Sequence, residues 1–166
     1  MAGDDQVYDV LTAHEAIRQA ANRYCRGVDR LDAPLMKSAY WPDAIDDHGV
    51  FVGNAYEFCD NVVAGHRRLV ASMHCISNHS INVDLVAGTG VGEIYNVSYR
   101  LRPGDDGHNQ LDTWWGRYVD RYERRDGEWR ISQRICVHEW TKTEPAGDPM
   151  PIAWDRFRQG SEDRLR

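Results

Sequence analysis

An aspartate closing a helical stretch, Asp29, and a histidine opening a strand-like run, His74-Cys75-Ile76-Ser77-Asn78, are the residue types that together make a general base. A carboxylate held against an imidazole fixes its tautomer and stabilises the imidazolium, so such a pair works near neutral pH. His74 would take a proton from a carbon beside a leaving group, while Asp29 accepts a hydrogen bond from the other ring nitrogen. Two more residues could act on the leaving side. Tyr24, at helical spacing with Ile17, Ala21 and Val28, could hydrogen-bond or protonate a departing hydroxyl or a substrate carbonyl. Arg134, in the last strand-like segment, could steady charge developing on a leaving group or enolate. Each also has a plain structural reading: a hydrogen-bonded strand histidine, a helix-end acid, a core ring, and an arginine paired with Asp29 or another acid.

The elements that must bring these residues together can be read from pattern. Residues 1–11 read as a loose arm, and Thr12 with Glu15 reads as a capping box that starts a helix running to 28 or 29. Asp32 and Pro34 restart a short helix ending near Trp41-Pro42. A short strand follows over 44–52, and Asn54 with Glu57 opens a third helix reaching about residue 71. Beyond it the pattern turns to strands over 74–86, 91–102, 110–124 and 128–141, with Asp126-Gly127 as a hairpin turn. The expected fold is α+β, a curved antiparallel sheet with three N-terminal helices on its concave face. Five residues at about 100° each separate Tyr24 from Asp29 by roughly 140° on an ideal helix. The two converge only if the helix ends near Asp29.

Strand parity suggests what lines a site. In the last strand Trp129, Ile131, Gln133, Ile135 and Val137 form a core-like set; Arg130, Ser132, Arg134, Cys136, His138 and Trp140 form a mixed one that suits a pocket lining. The third strand of the meander carries Trp114, Trp115, Tyr118 and Tyr122 on both faces, which predicts helices over one face and a second subunit over the other. Tyr95, Trp114, Trp115 and Trp140 are candidates to line an apolar cavity for a ring-containing substrate. The tail over 142–166, with Pro145, Pro149, Pro151, Ile152, Trp154 and Phe157, reads as irregular and could cover a pocket mouth or a neighbour.

These patterns resemble the SnoaL-like branch of the nuclear transport factor 2-like superfamily over roughly residues 10–141. The phrases Trp41-Pro42-Asp43-Ala44, Asp47-His48-Gly49, Gly116-Arg117-Tyr118 and Arg124-Arg125-Asp126-Gly127-Glu128-Trp129 carry the likeness. Within that branch the chain looks most like hexachlorocyclohexane dehydrochlorinase and bile acid 7α-dehydratase, and more distantly scytalone dehydratase. Gly27-Val28-Asp29 resembles the segment bearing a dyad aspartate, and the run from His74 resembles the one bearing the dyad histidine. Arg134 falls where the dehydrochlorinase places a pocket arginine. Tyr24 stands where the bile acid enzyme has a tyrosine and the dehydrochlorinase a lysine, which favours loss of water over loss of chloride. Asn96 and Ser98 occupy the stretch where the dehydratase carries a second aspartate.

The resemblance implies a cofactor-independent lyase that eliminates water from a hydrophobic cyclic molecule. Its site would hold His74, Asp29, Tyr24 and Arg134, with Asn96, His138 and the aromatic candidates binding substrate. The rival readings are an isomerase or polyketide-cyclase-like enzyme using the same dyad, and a non-catalytic binding or accessory subunit such as the small subunit of a ring-hydroxylating dioxygenase.

Composition excludes other classes. The 166-residue chain carries a net charge of -6 with arginines interleaved among acids, so no nucleic-acid surface is expected. No apolar run approaches the roughly 20 residues that span a bilayer. The four cysteines lack any Cys-x-x-Cys pair and read as reduced thiols of a cytoplasmic protein. A zinc site from His74, His79 and His138 would need a strand bulge between residues 74 and 79, so no metal is expected. Gly88-Thr89-Gly90 lies in a hairpin turn and opens no helix, so it does not suggest a nucleotide site. The expected state is a homo-oligomer, dimer or trimer.

Overall fold

The first helix is longer than its capping signal suggests. The computed structural model describes residues 2–105 and 107–148, and in it α1 spans Ala2–Arg30. Thr12 Oγ1 donates to the Tyr8 carbonyl at 2.9 Å, so this threonine sits inside the helix rather than capping it. The expected loose arm is therefore helical from residue 2, although Val7, Tyr8 and Leu11 are exposed and these turns run beyond the core. From Ala13 onward Ile17, Ala21, Tyr24 and Val28 bury one stripe against the sheet.

The end of α1 is what positions Asp29. The amide of Asp32 donates to the Gly27 carbonyl at 2.8 Å and that of Leu31 to Val28 at 3.4 Å, with Leu31 in the left-handed region at φ 58°. That is a Schellman ending with leucine where glycine is usual. Asp32 then caps α2 (Ala33–Lys37) through its side chain, as its position before Pro34 predicts. Gly27 permits the tight turn: a Cβ there would lie 2.5 Å from the Met36 amide nitrogen.

Strand β1 (Tyr40–Asp47) and the short β2 (Val52–Asn54) replace the single strand expected over 44–52. Asn54 caps α3 (Ala55–His66), accepting from the amides of Tyr56 and Glu57. Four long strands follow: β3 (Ala71–Asp84), β4 (Thr89–Pro103), β5 (Asn109–Arg125) and β6 (Glu128–Ala146). They form the expected antiparallel meander. However, β1 joins β6 in parallel, so the open six-stranded sheet, ordered β2-β1-β6-β5-β4-β3, is mixed rather than antiparallel. Strand β6 also continues to Ala146 where an irregular tail was expected, and Pro149 to residue 166 lie outside the described residues.

Three irregularities re-aim side chains. Asn78, at φ 31°, interrupts the β3–β4 register, so His74 and His79 face the same side despite their odd spacing. Ser132 is an extra residue in β6 against β5, and Glu139 is another. The Ser132 bulge splits the alternation expected for β6. Trp129 and Ile131 are core, but beyond the bulge Arg134 and Cys136 face inward, while Ile135 is 40% exposed on the outer face. A single extra residue reverses every later side chain.

Candidate active site

His74 and Asp29 meet. His74 Nδ1 lies 2.7 Å from Asp29 Oδ1, and the His74 backbone amide donates to Asp29 Oδ2 at 2.8 Å. Ser72 Oγ adds a 3.3 Å bond to Oδ1. Both carboxylate oxygens are thus committed, and the neutral ring must carry its proton on Nδ1 to complete the set. Nε2 is left as an acceptor. The Schellman ending resolves the angular problem posed by the sequence: Tyr24 and Val28 face the cavity while Asp29, in the last turn, reaches the amide of β3.

The inner face beside this couple forms an ordered ladder. His74 pairs with Ser98, and Ser98 with Trp114; Ile76 pairs with Asn96, Asn96 with Gly116, and Gly116 with His138. With Tyr24, Val28, Phe58, Val62 and Tyr118, the side chains of His74, Asn96, Ser98, Trp114 and His138 line a cavity of about 480 Å³. That volume lies within the range that holds small organic ligands. The side chain of Asn96 is buried, and neither its oxygen nor its nitrogen has a hydrogen-bond partner in the protein. Arg100, His66, Cys136, His48, Gly49 and Val50 complete the wall. Burial pushes the Cys136 thiol up to about 12, so it stays protonated at neutral pH and is no nucleophile. Among the described residues no three His, Cys, Asp or Glu side chains gather closely enough to hold a metal ion.

Gly116 sets the position of Trp114. A Cβ at residue 116 would stand 2.2 Å from the Val137 carbonyl oxygen and 2.3 Å from the indole ring. Gly116→Ala is expected to displace that indole from the cavity wall and to destabilise the fold by about 1–3 kcal/mol through overpacking. Denaturant titration followed by tryptophan fluorescence checks both effects.

Several expected site residues lie elsewhere. Tyr95, Trp115 and Trp140 do not line the cavity: Tyr95 and Trp140 are 48% and 56% exposed, and Trp115 stacks on Trp140 with centroids 4.9 Å apart. Strand alternation puts Trp115 and Tyr95 opposite to Trp114 and Asn96, and the Glu139 bulge carries Trp140 to that outer face. Arg134 is fully buried and does not line the cavity either. It grips Asp120, not Asp29, through Nε at 2.8 Å and a second nitrogen at 2.7 Å, and Tyr122 donates to the same carboxylate at 2.8 Å. Its cation rests on the rings of Tyr118 and Tyr24, 4.0 and 4.3 Å from their centroids. Arg134 thus forms the floor beneath the cavity.

The structure gives His48, so far only part of the likeness phrase Asp47-His48-Gly49, a partner and a place in the site. His48, just past β1, lines the cavity; its Nδ1 bonds the wholly buried Asp46, and its Nε2 lies 3.3 Å from the Tyr24 hydroxyl, within hydrogen-bond reach. The alternation Asp46-x-His48 at a strand end was the available signal, since residues two apart share a face. Burial first, and then the Asp46 carboxylate, push the Tyr24 hydroxyl well above the ordinary tyrosine range, so it remains a donor.

His79 is a separate inward histidine. Burial outweighs the opposing pull of Asp120 and holds its pKa down at about 4 from an ordinary 6.5. The folded protein therefore keeps His79 neutral where the unfolded chain would protonate it. Stability is expected to fall as pH drops from 6.5 toward about 4. Melting temperatures across that window should decline less in His79→Gln than in the wild type.

Helices on one face of an open sheet, enclosing a cavity, give a cystatin-like fold. A model of the SnoaL-like domain matches residues 9–135, and the chain belongs to that family. No protein of curated function matches it. Among solved structures, a type 2 hexachlorocyclohexane dehydrochlorinase superposes with a TM-score of 0.75 at 20% identity, over 87% of this chain and 97% of that one. A scytalone dehydratase candidate from Novosphingobium aromaticivorans gives 0.68 at 16% identity, over 92% and 99%. An NTF2-like protein with a cystatin-like fold, also from Novosphingobium aromaticivorans, gives 0.65 at 17% identity, over 83% and 89%. At these identities the likeness is one of fold.

Proposed function

We propose that the protein is a cofactor-independent lyase of the dehydratase type, removing water by β-elimination from a hydrophobic cyclic molecule. The observation that carries this reading is the Asp29–His74 couple, whose histidine lines a cavity with an apolar wall of Val28, Val62, Phe58, Trp114 and Tyr118. His74 acts as the base through Nε2, and Asp29 fixes its tautomer. Asn96 supplies what an apolar wall cannot. A buried amide without partners costs on the order of 1–3 kcal/mol, which a substrate carbonyl or hydroxyl would recover on binding. His138 and Trp114, with rings 5.9 Å apart, flank the same space.

The open cavity favours an enzyme over an accessory subunit, which has no use for a base facing free volume. The test is elimination from β-hydroxycyclohexanone, followed through the absorbance of the enone product. The wild type should form enone, and His74→Gln should be slower by on the order of 10²–10⁴-fold. Equal rates in the two proteins would rule out His74 as the base. Binding of the ketone without turnover would favour the binding-subunit reading.

A further inference from the structure

A second carboxylate–imidazole couple faces the same cavity from the far side of the sheet. Strand β1, which leads into His48, is separated from β3, which carries His74, by β6, β5 and β4. Asp46 has no exposed surface, and its two oxygens are taken by the Tyr40 hydroxyl at 2.6 Å and by His48 Nδ1. Burying a carboxylate is costly unless each oxygen is matched. The neighbouring cation does not meet that need: Arg134 pairs with Asp46 in the strand register but directs its guanidinium to Asp120.

Two further contacts fix the His48 ring. It stacks on Phe58 with centroids 4.1 Å apart, and the turn behind it is closed by the His48 amide donating to the Phe51 carbonyl at 2.9 Å. With Nδ1 held by Asp46, only Nε2 is left, and it meets the Tyr24 hydroxyl at the cavity wall. The groups that meet this couple are therefore Tyr40 of β1, Tyr24 of α1, Phe58 of α3 and Tyr118 of β5, with Arg134 of β6 opposite Asp46 in the strand register.

Resting on the lyase reading above, we propose that His48, oriented by Asp46, is a second proton-transfer centre that works through Tyr24 to protonate the departing group. The leaving group is then an oxygen, which needs a proton, rather than a halide, which does not. In the step, His74 Nε2 takes the proton from carbon and the C–H electron pair becomes the new double bond. The C–O bond breaks, its pair stays on oxygen, and that oxygen takes the Tyr24 proton. Tyr24 recovers a proton from protonated His48, and water departs. His74 ends protonated and His48 neutral, and exchange with solvent through the open cavity restores both. Tyr24 is the group that touches substrate; His48 acts through it and Asp46 orients His48.

The test uses two ketones that give the same enone, β-hydroxycyclohexanone and β-chlorocyclohexanone, each measured above its uncatalysed rate. In His48→Gln and in Tyr24→Phe, kcat/KM for the hydroxy ketone should fall on the order of 10²-fold, and that for the chloro ketone by much less. His74→Gln should lower both, because both need the base. Equal losses on the two ketones, or no loss on the hydroxy ketone, in a wild type that turns them over would overturn the proton-delivery role and leave the lyase reading standing. If the wild type eliminates from neither ketone, the lyase reading falls and this one falls with it. Two variants are used because the His48 ring packs on Phe58, whereas Tyr24→Phe keeps the core ring and removes only the hydroxyl.

Discussion

Asp29→Asn is expected to lower kcat for elimination on the order of 10²–10⁴-fold with little change in fold. The reason is the double contact with His74. One carboxylate oxygen accepts the His74 backbone amide, so the amide oxygen of an asparagine must take that place. Its NH₂ group then points at Nδ1, where the carboxylate accepts a proton in the wild type. Nδ1 becomes the acceptor and the ring proton moves to Nε2, toward the cavity. The base is then present in the wrong tautomer. KM should change less than kcat, because Asp29 touches the histidine and not the substrate. Steady-state kinetics on β-hydroxycyclohexanone measure the split, and an unchanged kcat would remove Asp29 from the mechanism.

Asp120→Ala is expected to cause the largest loss of stability, about 3–5 kcal/mol, because it strands a wholly buried guanidinium. It also removes the acceptor of the Tyr122 hydroxyl. In a domain of this size such a change lowers the melting temperature on the order of 10 °C. Pairing it with Arg134→Met, which withdraws the charge, should recover much of the loss, since an apolar replacement for a buried ion pair is often close to neutral. A single Asp120→Ala variant that melts within about 1 kcal/mol of the wild type would mean that Arg134 finds another partner.

The fold was legible where local chemistry and pattern agreed. Asp32 before Pro34 and Asn54 before Glu57 both cap helices, and Asp126-Gly127 turns the last hairpin with φ of 51° and 84°. It was not legible where tertiary pairing decided. The parallel docking of β1 on β6 joins residues about ninety positions apart and leaves no local mark. Thr12 fits a capping pattern, yet the helix runs through it and its hydroxyl bonds back one turn.

The site divides in the same way. Resemblance and residue type both pointed to Asp29, His74 and Tyr24, and the structure puts Asp29 on His74 and Tyr24 on the cavity wall. Arg134, Trp140, Trp115 and Tyr95 were misplaced because parity counting assumes unbroken strands or leaves the choice of face open. The extra residues at Ser132 and Glu139 invert the count in β6, turning Arg134 into the floor and Trp140 to the outside. His48 stands in the sequence reading only within the likeness phrase Asp47-His48-Gly49, and its pairing is hidden because Asp46 looks like one more strand-end acid among Asp43, Asp46 and Asp47. Only the buried position of Asp46 distinguishes it.

Whether Asp29 sets the tautomer of His74 is read by nitrogen NMR of ring-labelled histidine in the wild type and in Asp29→Asn. The wild type is expected to carry the His74 proton on Nδ1, against Asp29, and the variant to carry it on Nε2. A wild-type ring already protonated on Nε2, or a tautomer that ignores the substitution, would contradict that expectation and remove the base from the cavity.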